Sequence, residues 1–299
     1  MPDPVIIGTV ALDTIETPFG KVEDALGGSA TYASIAASFF SKPGILSIVG
    51  KDFPKNHIKS LNNRGIDTKG VVVGDKTFRW KGYYEFDMNE AKTLKTELNS
   101  LQTYKVKVPD SYKKAQYVFL ANIDPQLQIE AIKQIKNPKL IVMDTMNFWI
   151  NNKKNYLLEA IKKTDILILN DGEARQLFNT PNLVSAANAA LGMVNKAVII
   201  KKGEHGALLF TKTKHFNAPG YPLENIKDPT GCGDSFGGAF IGYISKTKNT
   251  DEKNLRKAVV YGSILASFNA EGFATERLCS VKENDIEKRY KEFQDIREF

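Results

Sequence analysis

The sequence predicts an α/β fold: a three-layer sandwich around a mostly parallel central sheet, with a small second β-sheet attached. Three observations carry this expectation. Short apolar runs recur along the chain, helical patterns fill the intervals between them, and two segments alternate polar with β-branched or aromatic residues instead.

The apolar runs are residues 5–10, 45–49, 117–121, 140–143, 166–169 and 197–200. They are rich in Val, Ile and Leu without polar alternation, which suits strands buried on both faces of a parallel sheet. Parallel neighbours need crossovers, and residues 29–40, 125–136, 153–163 and 183–195 carry apolar side chains at helical spacing in the right places. Asp124 before Pro125 reads as an N-cap followed by proline at the first helical position. Residues 233–299 are helical in pattern almost throughout. The alternating segments are 12–25 and about 71–108, clearest in 77–86. Alternation means a sheet with one wet face, so the two are read as one small antiparallel excursion able to close over a ligand as a lid. An edge hairpin with no gating role is the plainer alternative.

At 299 residues, 42% hydrophobic and 25% charged, the chain is expected to form one α/β body over 1–299 with that excursion. The formal charge of +7 would suit a nucleic acid, but the lysines are scattered, as in the pairs Lys113, Lys114 and Lys153, Lys154. They read as solvated faces, and nucleic acid is not an expected partner. Cys232 and Cys279 lie in no metal-binding spacing, and His57, His205 and His215 have no catalytic neighbour in sequence. No leader-like start and no apolar stretch long enough for a bilayer is visible, so a cytoplasmic protein without a membrane partner is expected.

The chemistry concentrates in residues 227–240, Lys-Asp-Pro-Thr-Gly-Cys-Gly-Asp-Ser-Phe-Gly-Gly-Ala-Phe. Pro229 stiffens the entry, and Gly231 and Gly233 let backbone N–H groups converge where side chains would obstruct them. A helix starting there makes an amide-lined cup that favours anions. Asp234, inside the cup, would reach a substrate hydroxyl as general base while the amides of Gly231, Cys232 and Gly233 hold a transferring phosphoryl group. Phosphoryl transfer asks for little more, so the motif points to a kinase. On an isolated Gly-x-Gly-Asp, a simple turn with Asp234 as a helix cap would serve as well.

The full string resembles the second signature of the ribokinase-like, or PfkB, carbohydrate kinase family, whose core reads GAGD with an upstream DT or DPT; Cys232 replaces the usual alanine. The resemblance extends along the chain. Gly27 and Gly28 before the first helix resemble the family's di-glycine substrate motif, and Asp13 matches its acidic residue for substrate hydroxyls; alone, these would be a turn and a cap. Thr31 and Tyr32 stand where many relatives carry asparagine, which leaves the acceptor open. Asn170 and Glu173 resemble the NxxE motif, which implies water-mediated Mg²⁺ binding; without that context they read as a capping box. Gly203 and Gly206 match the segment that approaches the nucleotide, where a hairpin turn is the alternative, and Gly272 lies in the loop that flanks adenine. Asp228 and Thr230 fall where relatives bind a monovalent cation such as K⁺.

The resemblance therefore implies ATP with Mg²⁺ as cofactors, an ATP site at Asn170, Gly203, Gly206, Gly231, Gly233 and Gly272, and transfer to an alcohol of a sugar or a nucleoside. The aromatic residues Phe78, Trp80, Tyr83 and Tyr84 would stack on a sugar or base, or simply pack the lid. An exposed edge of the lid sheet makes a homodimer through the lid an expectation. A non-catalytic nucleotide- or sugar-binding protein on the same fold would have a spoiled cup, and Gly231, Gly233 and Asp234 are intact. A dinucleotide-binding dehydrogenase is excluded because Gly8, Thr9, Val10 and Ala11 after the first run show no GxGxxG.

Overall fold

The computed structural model describes residues 1–298. Its strands are β1 (Val5–Ile7), β2 (Ala11–Thr17), β3 (Gly20–Gly27), β4 (Gly44–Gly50), β5 (Asp67–Gly74), β6 (Phe78–Tyr84), β7 (Ala91–Glu97), β8 (Tyr117–Leu120), β9 (Leu140–Met143), β10 (Ile166–Asn170), β11 (Ala197–Lys201), β12 (Ala207–Thr211) and β13 (His215–Ala218). Its α-helices are α1 (Ser29–Ser38), α2 (Lys55–Asn63), α3 (Pro125–Gln134), α4 (Asn147–Asn152), α5 (Lys154–Ile161), α6 (Asp171–Phe178), α7 (Leu183–Leu191), α8 (Cys232–Thr247), α9 (Glu252–Ala270), α10 (Glu276–Ser280) and α11 (Glu283–Asp295).

Nine strands form one sheet in the order β13-β12-β11-β10-β9-β8-β1-β4-β5. All neighbours from β11 through β5 are parallel, and β12 and β13 add an antiparallel edge. Successive residues of each central strand point to opposite faces, and the core divides accordingly. Ile6, Ile166, Ile168 and Ile199 join the apolar cluster that includes Phe240 of α8 and Leu265 of α9. Val5, Ile7, Leu167, Leu169 and Ile200 join a second cluster with Leu127 of α3 and Leu157 of α5. Two separate cores on one sheet are what make the three layers, and they explain why the central runs show no polar alternation. α3 begins as its sequence promises, with Asp124 accepting from the Gln126 N–H at 3.0 Å and Pro125 in the first turn.

The small sheet has four strands in the order β3-β2-β6-β7. It is not purely antiparallel, because two hairpins are joined by a parallel pairing of β2 with β6, Ala11 opposite Phe78. Nor does it hold the whole segment 71–108. Residues 71–74 belong to β5, the edge of the large sheet, and a short 3₁₀ turn at Asn99–Thr103 leads the chain away. An edge strand has one wet face, so β5 alternates just as a strand of the small sheet does. The first apolar run is also shorter than 5–10, since β1 ends at Ile7 and β2 begins at Ala11. The small sheet is tied to the body by Thr17, whose hydroxyl donates to the Lys227 carbonyl at 2.9 Å, and by Arg79, which pairs with Asp52 at 3.3 Å.

Candidate active site

α8 opens on a left-handed residue, Gly231, at φ 77°. A side chain there would be strained by the backbone alone, and its Cβ would stand 2.4 Å from the ring of buried Tyr32. Among the described residues, the N–H groups of Gly231 and Gly233 have no hydrogen-bond partner, whereas that of Cys232 donates to the Pro229 carbonyl at 3.1 Å. The expected three-amide cup is therefore narrower in this conformation: Gly231 and Gly233 are free, and Cys232 is occupied in closing the turn.

Asp234 stands in the first turn of α8, partly exposed, and no side chain or capping N–H of another residue bonds to its carboxylate among the described residues. Burial raises its pKa to about 7; the Asp144 charge adds to this, and Lys201 opposes it. It is thus a carboxylate placed against protein and left without a structural duty.

Asp13 in β2 is buried, and its Oδ2 accepts from the Gly28 N–H at 3.2 Å. Gly27 permits this approach, since a Cβ on it would fall 1.9 Å from that oxygen. Burial lifts the Asp13 pKa to about 7, with Asp234 and Asp228 raising it further. Asp13 lies near enough to Asp234 and Asp228 for their charges to act on it, and its Gly28 partner fixes it there. Tyr32 feels the charges of Asp13, Asp228 and Asp234 and keeps a buried hydroxyl without a partner among the described residues. Of the four aromatics from β6, Tyr84 reaches this place, its hydroxyl 3.2 Å from Thr230 Oγ1, while the indole N–H of Trp80 donates to Thr93 within the small sheet.

Asp228 is fully buried and acts as an organiser of the loop. Its Oδ1 accepts from the Thr230 N–H and its Oδ2 from the Ala274 N–H, both at 2.8 Å. Asn269 donates to the Thr230 carbonyl at 2.7 Å, which fastens the loop carrying Gly272 to the same spot. Gly203 and Gly206 shape the turn from β11 into antiparallel β12, so the hairpin reading of that segment is realised. Asn170 and Glu173 likewise form a true capping box, with both reciprocal bonds at 2.7 Å. The box uses only one oxygen of Glu173.

Two residues that carry no motif in the sequence stand at the centre. Asp144 follows β9 directly, and Lys201 closes β11 opposite Asn170. Lys201 Nζ donates to Asp144 Oδ2 at 2.7 Å. Burial pushes the Glu173 pKa to about 8, with Lys201 opposing and Asp144 and Asp234 adding to the rise. A general rule would have found both residues: charged side chains at the carboxyl ends of parallel strands face the ligand crevice. Three carboxylates, Asp144, Glu173 and Asp234, share one ammonium here. That surplus negative charge fits a hydrated divalent cation escorting phosphates, although among the described residues no group of three or more ligands stands ready to hold a bare metal.

Comparison with known proteins agrees with this geometry. Residues 13–280 match the pfkB family carbohydrate kinase. The cytidine kinase of Thermococcus kodakarensis is 29% identical over 262 residues, covering 84% of this chain and 92% of that protein. The crystal structure of the Methanocaldococcus jannaschii nucleoside kinase superposes with a TM-score of 0.75 at 24% identity, over 96% of this chain and 99% of its own. The Burkholderia thailandensis nucleoside kinase in complex with ADP-inosine gives a TM-score of 0.76 at 16% identity, over 96% of this chain and 95% of its own. Among the described residues no helix is long and apolar enough to cross a membrane.

Proposed function

The chain belongs to the pfkB family of carbohydrate kinases, and from that premise we propose that it phosphorylates a hydroxyl of a nucleoside, with ATP as donor and Asp234 as general base. The kinase class, a sugar or nucleoside acceptor and the use of ATP follow from the family. The observation that supports the site assignment is the Asp234 carboxylate, bonded to no other residue among the described residues, beside the Gly231 and Gly233 N–H groups that likewise have no partner among them.

In the reaction, Asp234 accepts the proton of the acceptor hydroxyl as its oxygen bonds to the γ-phosphorus. The bond from that phosphorus to the β,γ-bridging oxygen breaks, and ADP leaves with the electron pair. The Gly231 and Gly233 amides receive charge on the transferring group. Asp13, with Gly27 and Gly28 holding it in place, accepts hydrogen bonds from the other acceptor hydroxyls. Glu173, through its unused oxygen, and Asn170 would hold the water shell of Mg²⁺, which neutralises phosphate charge when bound. Gly203, Gly206 and Gly272 line the nucleotide, and the small sheet serves as the lid that excludes water.

A nucleoside is favoured over a simple sugar because relatives 29% and 26% identical over 84% and 76% of this chain are named cytidine kinase and nucleoside kinase, and because Thr31 and Tyr32 stand in the region where many relatives carry the sugar-contacting asparagine. The deciding experiment measures acceptor-dependent ADP release over a panel of nucleosides and free sugars with ATP and Mg²⁺. Turnover only with free sugars would overturn the nucleoside assignment, and no acceptor-dependent release at all would overturn the site assignment. Run in K⁺ and again in tetramethylammonium, the same assay tests a monovalent cation near Asp228, Thr230 and the unpartnered Asn269 Oδ1; equal rates would remove it.

The pH dependence follows from the carboxylates. A base acts only when deprotonated, so kcat/KM is expected to rise with pH through about 7, the value to which burial lifts both Asp234 and Asp13. The two interact, so the rising limb belongs to the pair. Asp13→Asn is expected to leave a shallower limb of one proton. A profile flat from pH 5 to 8 would contradict the assignment.

A further inference from the structure

Lys201 is half-buried, its side chain 16% exposed, and among the described residues its ammonium makes one hydrogen bond, to Asp144. An ammonium has three donors, so two remain. Their surroundings are marked by Gly233: a Cβ on that residue would stand 2.9 Å from Lys201 Nζ. The ammonium therefore touches the first turn of α8 at the very residue whose N–H is free. A side chain at 233 would require the ammonium to shift, so the second glycine of the motif and Lys201 are in close contact.

We propose that Lys201 is a catalytic residue, whose ammonium contacts the phosphoryl group in transit alongside the Gly231 and Gly233 amides, and that Asp144 is the positioning residue that holds it there. The proposal rests on the kinase reading above and adds a cation of the protein's own to the site. A lysine serves a phosphate as a compact point charge, and the charge it must meet is greatest on the transferring group while that group lies between its two oxygens. A lysine that only neutralised Asp144 and Glu173 would owe nothing to the γ-phosphoryl position and would not need Gly233 as a neighbour.

The test compares binding of ADP, ATP and ADP with aluminium fluoride, each with Mg²⁺, by calorimetry on wild type and Lys201→Met, and follows turnover with the best acceptor. Lys201→Met is expected to lower kcat by about 10²- to 10³-fold, the scale of losing one preorganised charge donor. It should weaken the aluminium fluoride complex by a similar factor, with ADP affinity within about threefold of wild type. Equal weakening of ADP and its fluoride complex, or a kcat within about threefold of wild type, would reduce Lys201 to a structural ion-pair member. If Lys201→Met does not fold, Asp144→Asn decides between the two roles: a selective loss of fluoride-complex affinity supports the proposal, and unchanged selectivity overturns it. The binding ratio is read without any acceptor, so a wild type that bound all three ligands yet phosphorylated nothing would sink the kinase reading and leave the lysine contact to be judged by itself.

Discussion

Asp234→Asn is expected to lower kcat by about 10²- to 10⁴-fold, the usual contribution of a positioned base, while ATP binding stays largely intact. Asparagine has nearly the same shape and cannot accept the hydroxyl proton. The same substitution should stabilise the unliganded protein at high pH. The folded-state pKa of Asp234 is about 7 against an ordinary 3.8, so the folded state binds the proton more tightly than the unfolded state does. Stability contributed by that tighter protonation is full below pH 4 and is lost as pH rises through about 7. An uncharged amide at this position carries no such loss, so the variant's Tm should exceed wild type by several degrees at pH 8 and match it near pH 4. Near-normal turnover would strip Asp234 of its role, and a Tm gap independent of pH would show that the carboxylate is not the destabilising group.

Gly231→Ala tests the turn and not the base. The substitution places a Cβ in a left-handed conformation, at about 1–2 kcal/mol, and drives it against Tyr32, which is 1% exposed and closely packed. Either Tyr32 or the start of α8 must move, and both belong to the site. Activity is expected to fall at least about 100-fold together with a Tm drop of roughly 5 °C, the second following from the strain and the first from misaimed N–H groups. Thermal denaturation and steady-state kinetics on one preparation check both. A stable, active variant would mean that the phosphoryl group is held elsewhere.

Much of the large sheet is legible in the sequence because burial on both faces leaves an unbroken apolar signal, as in Ile166 to Leu169 with Ile168 in one core and Leu169 in the other. The boundaries of the small sheet are not, because edge strand β5 and small-sheet strand β6 share the same half-wet periodicity. Nor can alternation tell that β2 pairs in parallel with β6, since partner and direction are set by the body that presents them. At the site, Asp234 and the glycines are visible as one contiguous string. Lys201 and Asp144 are not, because their relation is a contact between the ends of two strands separated by a third strand and two crossovers, and neither sits in a motif of its own. The Cys232 amide departs from expectation for a related reason: whether a backbone N–H is free depends on the Pro229 carbonyl that the turn brings to it.

The parallel seam between Ala11 and Phe78 also says something about the order in which this molecule assembles. The two hairpins flank α1, β4, α2 and β5, so their junction is expected to form after that intervening segment has docked, because closing so long a stretch costs entropy that the docked segment has already spent. The seam should be among the last parts to gain protection from hydrogen exchange during refolding and among the first to lose it in mild urea, opening as a cooperative unit while the nine-stranded core stays shut. The small sheet is thus expected to make its native contacts late and to release them early, opening and closing without unfolding the rest.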